Sequence, residues 1–194
     1  MRKDFYIFRH GQSTYNVVGR IQGQTNDSVL TNLGKEQAKE VGKKLKSKDI
    51  EVIISSPLFR ARQTAELVNL TLNKKIIEDE KFTEVDVGVV EGMDYTEAKE
   101  KYSEEFKKMH SQGSDYDDAC YPGGETRKQV RERIFRGLDY WASNDNYQCM
   151  AVASHGIMLS QILIALGDKQ IDIPNASILH IKKENDVWEI VEWL

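Results

Sequence analysis

The segment Phe5-Tyr-Ile-Phe-Arg-His-Gly11 is a short apolar run that ends in a polar loop containing glycine. It predicts a first strand that is buried in the interior. Near the other end of the chain, Cys149-Met-Ala-Val-Ala153 is almost wholly apolar and ends in a similar loop, Ser154-His155-Gly156. Apolar strands without alternation are typical of parallel sheets that helices cover on both faces. The two segments therefore predict an α/β fold.

Helices are predicted between and after these strands. Thr31 is a suitable N-cap for a helix whose apolar residues recur at helical spacing. Ser56-Pro57 predicts a second helix, with serine at the N-cap and proline at the first helical position. Residues 95–109 predict a charged helix, and Thr126-Arg-Lys-Gln129 is a capping box that starts the next one. Residues 156–166 predict the last helix.

Further strands complete the alternation. Val52-Ile-Ile54 and Lys75-Ile-Ile77 predict two strands, and residues 177–181 and 187–193 predict a closing hairpin. Together with the helices, they predict a three-layer sandwich with a central, mostly parallel sheet.

One region is expected to depart from this plan. Residues 85–92 alternate like a strand but contain the glycines of a bend, and 111–124 is the stretch richest in turn residues, where we expect a mobile loop. We interpret residues 1–194 as one domain, with a short inserted cap over roughly 92–124.

The composition excludes several classes of protein. Of the 194 residues, 31 are acidic and 27 are basic, and the net charge of −4 argues against a basic nucleic-acid binder. Cys120 and Cys149 make no disulfide framework and lack the spacing of a zinc site. The apolar segments are too short for a signal peptide or a membrane span. We therefore expect a soluble, cytoplasmic protein that binds neither nucleic acid nor membranes.

Charged residues follow three of the predicted strands at the point where each strand ends. The first strand is followed by Arg9 and His10, the second by Arg60 one turn into the next helix, and the late strand by His155. Ligands of open α/β sheets bind beyond the carboxyl ends of the strands. Two histidines and two arginines should therefore meet at one edge of the sheet.

Such an edge suits a tetrahedral dianion such as phosphate. Two guanidiniums can each bind two oxygens, and the helix after Pro57 adds its positive end. A neutral imidazole nitrogen can then attack the phosphorus in line, while a second, protonated imidazole stabilises the equatorial oxygens. The departing alkoxide needs a proton, which a nearby carboxylic acid can supply.

The same residues resemble the histidine phosphatase superfamily, in the branch that includes the cofactor-dependent phosphoglycerate mutases. The resemblance begins at Phe8-Arg-His-Gly-Gln-Ser-Thr-Tyr-Asn16 and covers most of the chain in the family's order. Only the insertion and the tail match weakly. The other matching motifs are Gln22-Gly23, Leu30–Ala38, Ser55–Ala65, Glu84, Glu91-Gly92, Pro122–Glu125 and Val152–Gly156.

The resemblance implies a phosphoglycerate mutase-like fold and assigns roles to residues. His10 would be the nucleophile that becomes a phosphohistidine. Glu84 would be the general acid and then the base that activates water. The phosphate pocket would consist of Arg9, Arg60 and His155, with further substrate-binding residues at Asn16, Gln22 and Gly23.

The residues alone leave two choices open. Arg62 competes with Arg60, which we favour because it lies closer to the start of the helix. Asp86 and Glu91 compete with Glu84, and without the resemblance the choice among the three carboxylates would be close to even. His110 and His180 lack any comparable context, and we assign them no role.

The length of the insertion bears on the reaction. Phosphoglycerate mutases of this kind are usually longer, with an insertion that carries paired arginines for the substrate carboxylate. Here the insertion is short and acidic, and Lys107-Lys108 is the nearest counterpart. We therefore expect a metal-independent phosphatase of the histidine acid phosphatase type, which needs no cofactor. The alternatives are a mutase-type phosphotransferase and a non-catalytic regulator that binds a phospho-ligand.

The substrate is expected to be a small phosphorylated metabolite. Candidates are a phosphorylated sugar acid, phosphoserine and a ribazole nucleotide intermediate. Tyr15, the segment 93–121, Arg127 and Arg131 are candidate determinants of specificity, which the sequence does not rank. It does not indicate the oligomeric state either.

Overall fold

The computed structural model describes residues 2–111, 115–168 and 173–194. Its strands are β1 Lys3–Arg9, β2 Val52–Ser55, β3 Lys75–Glu78, β4 Cys149–Ser154, β5 Ile178–Glu184 and β6 Val187–Trp193. Its α-helices are α1 Thr14–Val18, α2 Asn32–Leu45, α3 Phe59–Leu72, α4 Tyr95–Lys101, α5 Ser103–Met109, α6 Arg127–Ala142 and α7 Gly156–Ala165. No helix in these described ranges combines the length and the apolarity that crossing a membrane requires.

The strands form one sheet in the order β3-β2-β4-β1-β5-β6. The first four strands in this order are parallel to one another. β5 runs antiparallel to β1 and pairs with β6 as a hairpin. The structure confirms the predicted α/β fold with a mostly parallel central sheet, which the closing hairpin makes a mixed one.

The sheet has a hydrophobic core on each face because its central strands are apolar on both sides. Phe5 and Ile7 of β1 pack in a core with side chains of α6 and α7. Tyr6 and Phe8, which point to the opposite face, pack in a second core with side chains of α2 and α3. Helices, sheet and helices are the three layers that the sequence predicted.

The register of the central strands determines which residues meet at the carboxyl edge. Arg9 pairs with Ser154 across β1 and β4, and Ser55 pairs with Ala153 across β2 and β4. The residues that follow these strands therefore leave the sheet side by side. His10 N, for example, donates to the carbonyl oxygen of Ser154 at 2.9 Å.

The helix predicted at Ser56-Pro57 begins two residues later. Leu58 occupies the N-cap position of α3, and its side chain makes no capping hydrogen bond. The Ser56 hydroxyl lies instead 2.8 Å from Nε2 of His155. The serine therefore joins two loops, and it contacts the start of its own helix only at Leu58 N, at 3.3 Å, rather than as the N-cap.

The region 85–124 also differs from the prediction. Residues 85–92 contain a 3-10 turn at Gly88–Val90 instead of a strand. The helix predicted over 95–109 is divided into α4 and α5, because Tyr102 leaves the helical backbone conformation. In the expected loop 111–124, residues 112–114 lie outside the described residues, and the remainder consists mainly of turns.

The loop after β1 lies directly against the first turn of α2. A Cβ atom at Gly34 would lie 2.0 Å from the carbonyl oxygen of Gln12, and one at Gly11 would lie 2.2 Å from the carbonyl oxygen of Gly34. Thr64 of α3 holds the same loop, since its Oγ1 accepts a hydrogen bond from Gly11 N at 3.1 Å. Close backbone contact, which requires glycine, thus fixes the residue that follows His10.

We predict that Gly34→Ala destabilises the protein. The added methyl group has no room beside Gln12, so the loop must shift, and overpacking of this kind costs about 1–3 kcal/mol of the free energy of unfolding. Urea denaturation measures the change. Lys35→Ala, at the next and exposed position of α2, is the control and should change the stability by less than about 0.5 kcal/mol. Equal stability of the two variants would contradict the close contact.

Candidate active site

A cavity of about 500 Å³ lies at the carboxyl edge of the sheet. Seven of the eight residues predicted for the site line it: Arg9, His10, Asn16, Gln22, Gly23, Arg60 and Glu84. The eighth, His155, lies beside His10, with the two ring centroids 5.4 Å apart. The structure therefore brings together residues from four distant parts of the chain.

His10 is held in one tautomer by its own loop. Its Nδ1 lies 2.8 Å from the carbonyl oxygen of Gly11, which can only accept a hydrogen bond. Nδ1 therefore carries the proton of the neutral ring, and Nε2 keeps a free electron pair. The ring is almost fully buried, and Asn175 holds the backbone by donating to the carbonyl oxygen of His10 at 3.0 Å.

Arg60 is a buried cation at the same site. Its side chain donates to the carbonyl oxygens of Gly23 at 2.7 Å and Thr25 at 2.9 Å, and the residue is 1% exposed. Burial lowers the pKa of Arg60 to about 10, against the opposing effect of nearby carboxylates, so the group stays charged at neutral pH. Arg62, its rival in the sequence, is exposed and forms surface ion pairs with Glu66 and Glu78.

His155 is fully buried at the carboxyl edge of the sheet. Its Nε2 lies 2.8 Å from Ser56 Oγ, which also accepts a hydrogen bond from Leu58 N. The serine can therefore donate its proton to Nε2, which leaves the ring proton on Nδ1. Within the described parts of the chain, Nδ1 has no hydrogen-bond partner. A bound anion can provide one.

Both imidazoles are neutral in the ligand-free site. Burial is the main cause that lowers the pKa of His10 and of His155 well below the usual value of 6.5, and the charge of Arg60 lowers both pKa values further. A protonated second imidazole, as the sequence predicted, thus requires the negative charge of a bound dianion beside it.

Glu84 occupies the amino-terminal end of α7. Its Oε2 accepts a hydrogen bond from Ile157 N at 3.1 Å, and its Oε1 accepts from Met158 N at 3.1 Å and Val85 N at 3.0 Å. His155 stands at the N-cap position of this helix, but its side chain makes no capping hydrogen bond. The carboxylate of Glu84 accepts the hydrogen bonds of the first amide groups instead. A carboxylate is thereby fixed at the wall of the cavity.

The structure separates Glu84 from its two rivals. Asp86 Oδ1 accepts a hydrogen bond from Gly88 N at 2.8 Å, within its own turn. Glu91 Oε1 accepts one from Gln24 N at 2.7 Å and so holds the loop that contains Gly23. Of the three carboxylates, Glu84 is the one that lines the cavity.

Asn16 and Gln22 are oriented by a residue that sequence reasoning missed. Ser13 Oγ lies 2.9 Å from both Asn16 Oδ1 and Gln22 Oε1. The hydroxyl has one proton, which it can donate to Gln22 Oε1, because Asn16 Oδ1 already accepts a hydrogen bond from Ser13 N at 3.0 Å. Both side-chain oxygens are then engaged, and the amide nitrogens are the groups left for a ligand. Ser13 and Asn16 form a capping box at α1, a pattern that could have been found from the sequence. No local sequence pattern indicates that Asn175 holds the backbone of His10.

Other elements contribute the remaining residues of the cavity lining. Tyr95, Met109 and His110 come from α4, α5 and the residue that follows α5, and Arg20 lies on the loop after α1. Sequence reasoning gave His110 and Arg20 no role. The remaining lining residues include apolar ones such as Ile21, Val87 and Ile164 and polar ones such as Ser160 and Gln161.

Several candidate determinants of specificity lie elsewhere. Arg127 is buried and donates to Lys108 O and Ser111 Oγ, which connects α6 to the end of α5. Arg131 pairs with Asp117 and reaches Gln161, a residue of the cavity wall. Both arginines therefore support the cap, while Tyr15 lies under the Arg20 guanidinium at 5.8 Å.

No metal-binding cluster accompanies this site. Over residues 2–111, 115–168 and 173–194, no group of three or more His, Cys, Asp or Glu side chains is arranged to hold a metal ion.

Comparisons with known proteins agree with the geometry. A family model described as histidine phosphatase superfamily (branch 1) matches residues 5–194. The chain is 31% identical to the probable phosphoglycerate mutase GpmB of Proteus mirabilis (strain HI4320), over 97% of this chain and 89% of that protein. It is 29% identical to the uncharacterized phosphatase PhoE of Bacillus subtilis (strain 168), over 96% and 92% of the two chains. The crystal structure of phosphoglycerate mutase from Bacillus anthracis str. Sterne shares the fold, with a TM-score of 0.88, 23% identity and coverage of 98% and 92%.

The buried neutral imidazoles predict a pH-dependent stability. The unfolded chain takes up protons at His10 and His155 below about pH 6.5 while the folded chain does not. The free energy of unfolding should therefore fall as the pH decreases, by up to about 1.4 kcal/mol per pH unit for each ring. Urea denaturation between about pH 5 and pH 7.5 in phosphate-free buffer measures this slope.

The double variant His10→Asn/His155→Asn tests whether these two histidines cause the pH dependence of the stability. It lacks both titrating rings, so its stability should depend less steeply on pH than that of the wild type. Equal slopes for the two proteins would contradict neutral, buried imidazoles.

Proposed function

The chain belongs to branch 1 of the histidine phosphatase superfamily, and from this premise we propose that it is a phosphomonoester hydrolase that works through a phosphohistidine on His10. One observation carries the proposal: a neutral histidine with a free Nε2 lies in a cavity that is also lined by the cations Arg9 and Arg60. Such a site can hold a dianion and attack it.

In the first step the substrate phosphate lies between the arginines and His155. Arg9, Arg60 and the Nδ1 proton of His155 stabilise the phosphate oxygens, with the amide groups of Asn16 and Gln22 beside them. Nε2 of His10 attacks the phosphorus in line, so an N–P bond forms while the P–O bond to the alcohol breaks. Glu84 in its protonated form gives its proton to the departing oxygen.

In the second step Glu84 acts as a base. Its carboxylate takes a proton from a water molecule, whose oxygen attacks the phosphorus. The N–P bond breaks, and inorganic phosphate leaves with Nε2 of His10 unprotonated again. The backbone amide groups at the start of α7 hold the Glu84 carboxyl group at the cavity wall in this step as in the first.

Two features support hydrolysis rather than transfer. The cavity is partly open to solvent, so water can reach a phosphohistidine. Lys107 and Lys108 are exposed on α5, and the part of the cavity lining that the structure describes includes neither. The paired cations expected for a small phosphorylated acid are therefore missing from that part of the lining.

A mutase-type phosphotransferase is the second candidate, and Arg20 favours it. The Arg20 guanidinium lines the cavity and stacks over Tyr15, and within the described ranges it forms no ion pair. It could bind a second acidic group of a substrate. A non-catalytic regulator is disfavoured, because His10, Arg9, Arg60, Glu84 and His155 all lie together.

We predict that the protein forms a phosphoenzyme on His10 in the presence of EDTA. Incubation with a labelled phosphomonoester, followed by a rapid quench without acid, should trap an acid-labile phosphohistidine. His10→Ala should form none and should lose activity by more than about 10⁴-fold, since it lacks the nucleophile. His110→Gln, a second histidine of the cavity, should still form the phosphoenzyme. Turnover by His10→Ala, or a strict need for metal, would contradict the mechanism.

Hydrolysis and transfer give different products, and we predict hydrolysis. In H2-18O with 3-phosphoglycerate and 2,3-bisphosphoglycerate, a phosphatase releases inorganic phosphate that carries one 18O atom. A mutase interconverts 3- and 2-phosphoglycerate without taking oxygen from water. The same assay should be run with phosphoserine and α-ribazole phosphate. Interconversion that is faster than phosphate release would favour the mutase.

A further inference from the structure

A half-buried ion pair lies beside the backbone of Glu84. Arg133 of α6 contacts Glu125 through two parallel hydrogen bonds, with Nε–Oε1 at 2.9 Å and Nη2–Oε2 at 2.8 Å. The two side chains are 16% and 24% exposed. Two parallel contacts fix the plane of the guanidinium as well as its position.

The other donors of Arg133 bind the backbone that carries Glu84. Nη1 donates to the carbonyl oxygens of Lys81 and Thr83, each at 3.0 Å, and Nη2 donates to the carbonyl oxygen of Glu84 at 3.2 Å. The Thr83 hydroxyl oxygen lies 3.1 Å from Nη1 as well. One planar group thus fixes three carbonyl groups at and just before the proposed acid.

Glu125 holds the residues just after it. Its Oε2 accepts a hydrogen bond from Asp86 N at 3.0 Å, and its own backbone N donates to Asp86 O at 2.8 Å. Burial alone would raise the pKa of Glu125, but the hydrogen bonds from Arg133 and Asp86 outweigh it, and the pKa lies below its usual value. The ion pair is therefore intact at neutral pH.

Glu84 is consequently held at both ends. Arg133 fixes its carbonyl group, and the amide groups of Ile157 and Met158 fix its carboxylate. A general acid must lie within hydrogen-bond distance of the leaving oxygen, and a displacement of about 1 Å can cost 10²-fold in rate. We infer that Arg133 and Glu125 are positioning residues for Glu84, an inference that rests on the function proposed above.

The experiment compares two substrates whose leaving groups differ in their need for a proton. An alkoxide needs a proton to depart, whereas p-nitrophenolate does not, so the value of kcat/KM depends on Glu84 only for the alkyl substrate. Arg133→Gln should lower kcat/KM for an alkyl phosphomonoester by about 10²-fold and cause a much smaller loss with p-nitrophenyl phosphate. Glu125→Gln, which keeps the size of the side chain, should show the same pattern.

Matched variants separate positioning from a merely structural role. Arg136→Gln changes an exposed arginine one turn further along α6 and should leave both substrates unaffected. In a Glu84→Gln background, Arg133→Gln should add little, because its effect passes through the missing carboxyl group. Inhibition by inorganic phosphate should be unchanged in Arg133→Gln, since the phosphate pocket is intact.

Two results would overturn the inference. Equal losses with both substrates, or losses that multiply in the double variant, would mean that the ion pair only stabilises the fold. Failure of the proposed function would look different. The wild type would then form no phosphoenzyme, or Glu84→Gln would lower kcat/KM for p-nitrophenyl phosphate as much as for the alkyl ester.

Discussion

The site depends on the burial of Arg60, a cation that has carboxylates nearby but, among the described residues, contacts none of them directly. In the part of the chain that the structure describes, Arg60 has only carbonyl oxygens as hydrogen-bond acceptors and forms no ion pair. Removing a cation from water costs several kcal/mol unless other interactions replace the lost hydration. The same charge, together with burial, keeps His10 and His155 neutral. Under the function proposed above, a phosphate dianion would supply negative charge beside Arg60, and the same arrangement would leave Nε2 of His10 free to attack it.

Glu84 occupies a place where an anion would otherwise bind. The amino terminus of a helix is a common anion site, and at the start of α7 this place is taken by the chain's own carboxylate. In the proposed mechanism, the arginines and His155 therefore hold the phosphate. Glu84 in turn depends on both sides of the fold: α7 binds its carboxylate, and Arg133 of α6 binds its carbonyl group. Glu84 and the groups proposed to bind the phosphate thus come from separate elements that meet at the carboxyl edge of the sheet.

Much of the fold could be predicted because its signals are local. The unbroken apolar runs of β1 and β4 indicated a covered parallel sheet, and Thr31 and Thr126 were recognisable as N-caps. The errors arose where distant contacts override local preference. Ser56 has the chemistry of an N-cap, yet its hydroxyl contacts His155, which is 99 residues away. The break at Tyr102 has no signal within its own helix, and that ring packs against Tyr121.

The sequence by itself determined the chemical identity of the site. Arg9, His10, Arg60 and His155 each follow a predicted strand, and parallel strands place such residues at one edge. Only the tertiary structure decided which nitrogen of His10 keeps its electron pair, and which of the three carboxylates lines the cavity. It also decided that Arg133 holds the backbone of Glu84 and that Asn175 holds the backbone of His10. These properties depend on hydrogen bonds and burial shared by residues far apart in the chain. A residue pattern specifies the groups, but their protonation and orientation are set by neighbours that only folding brings into contact.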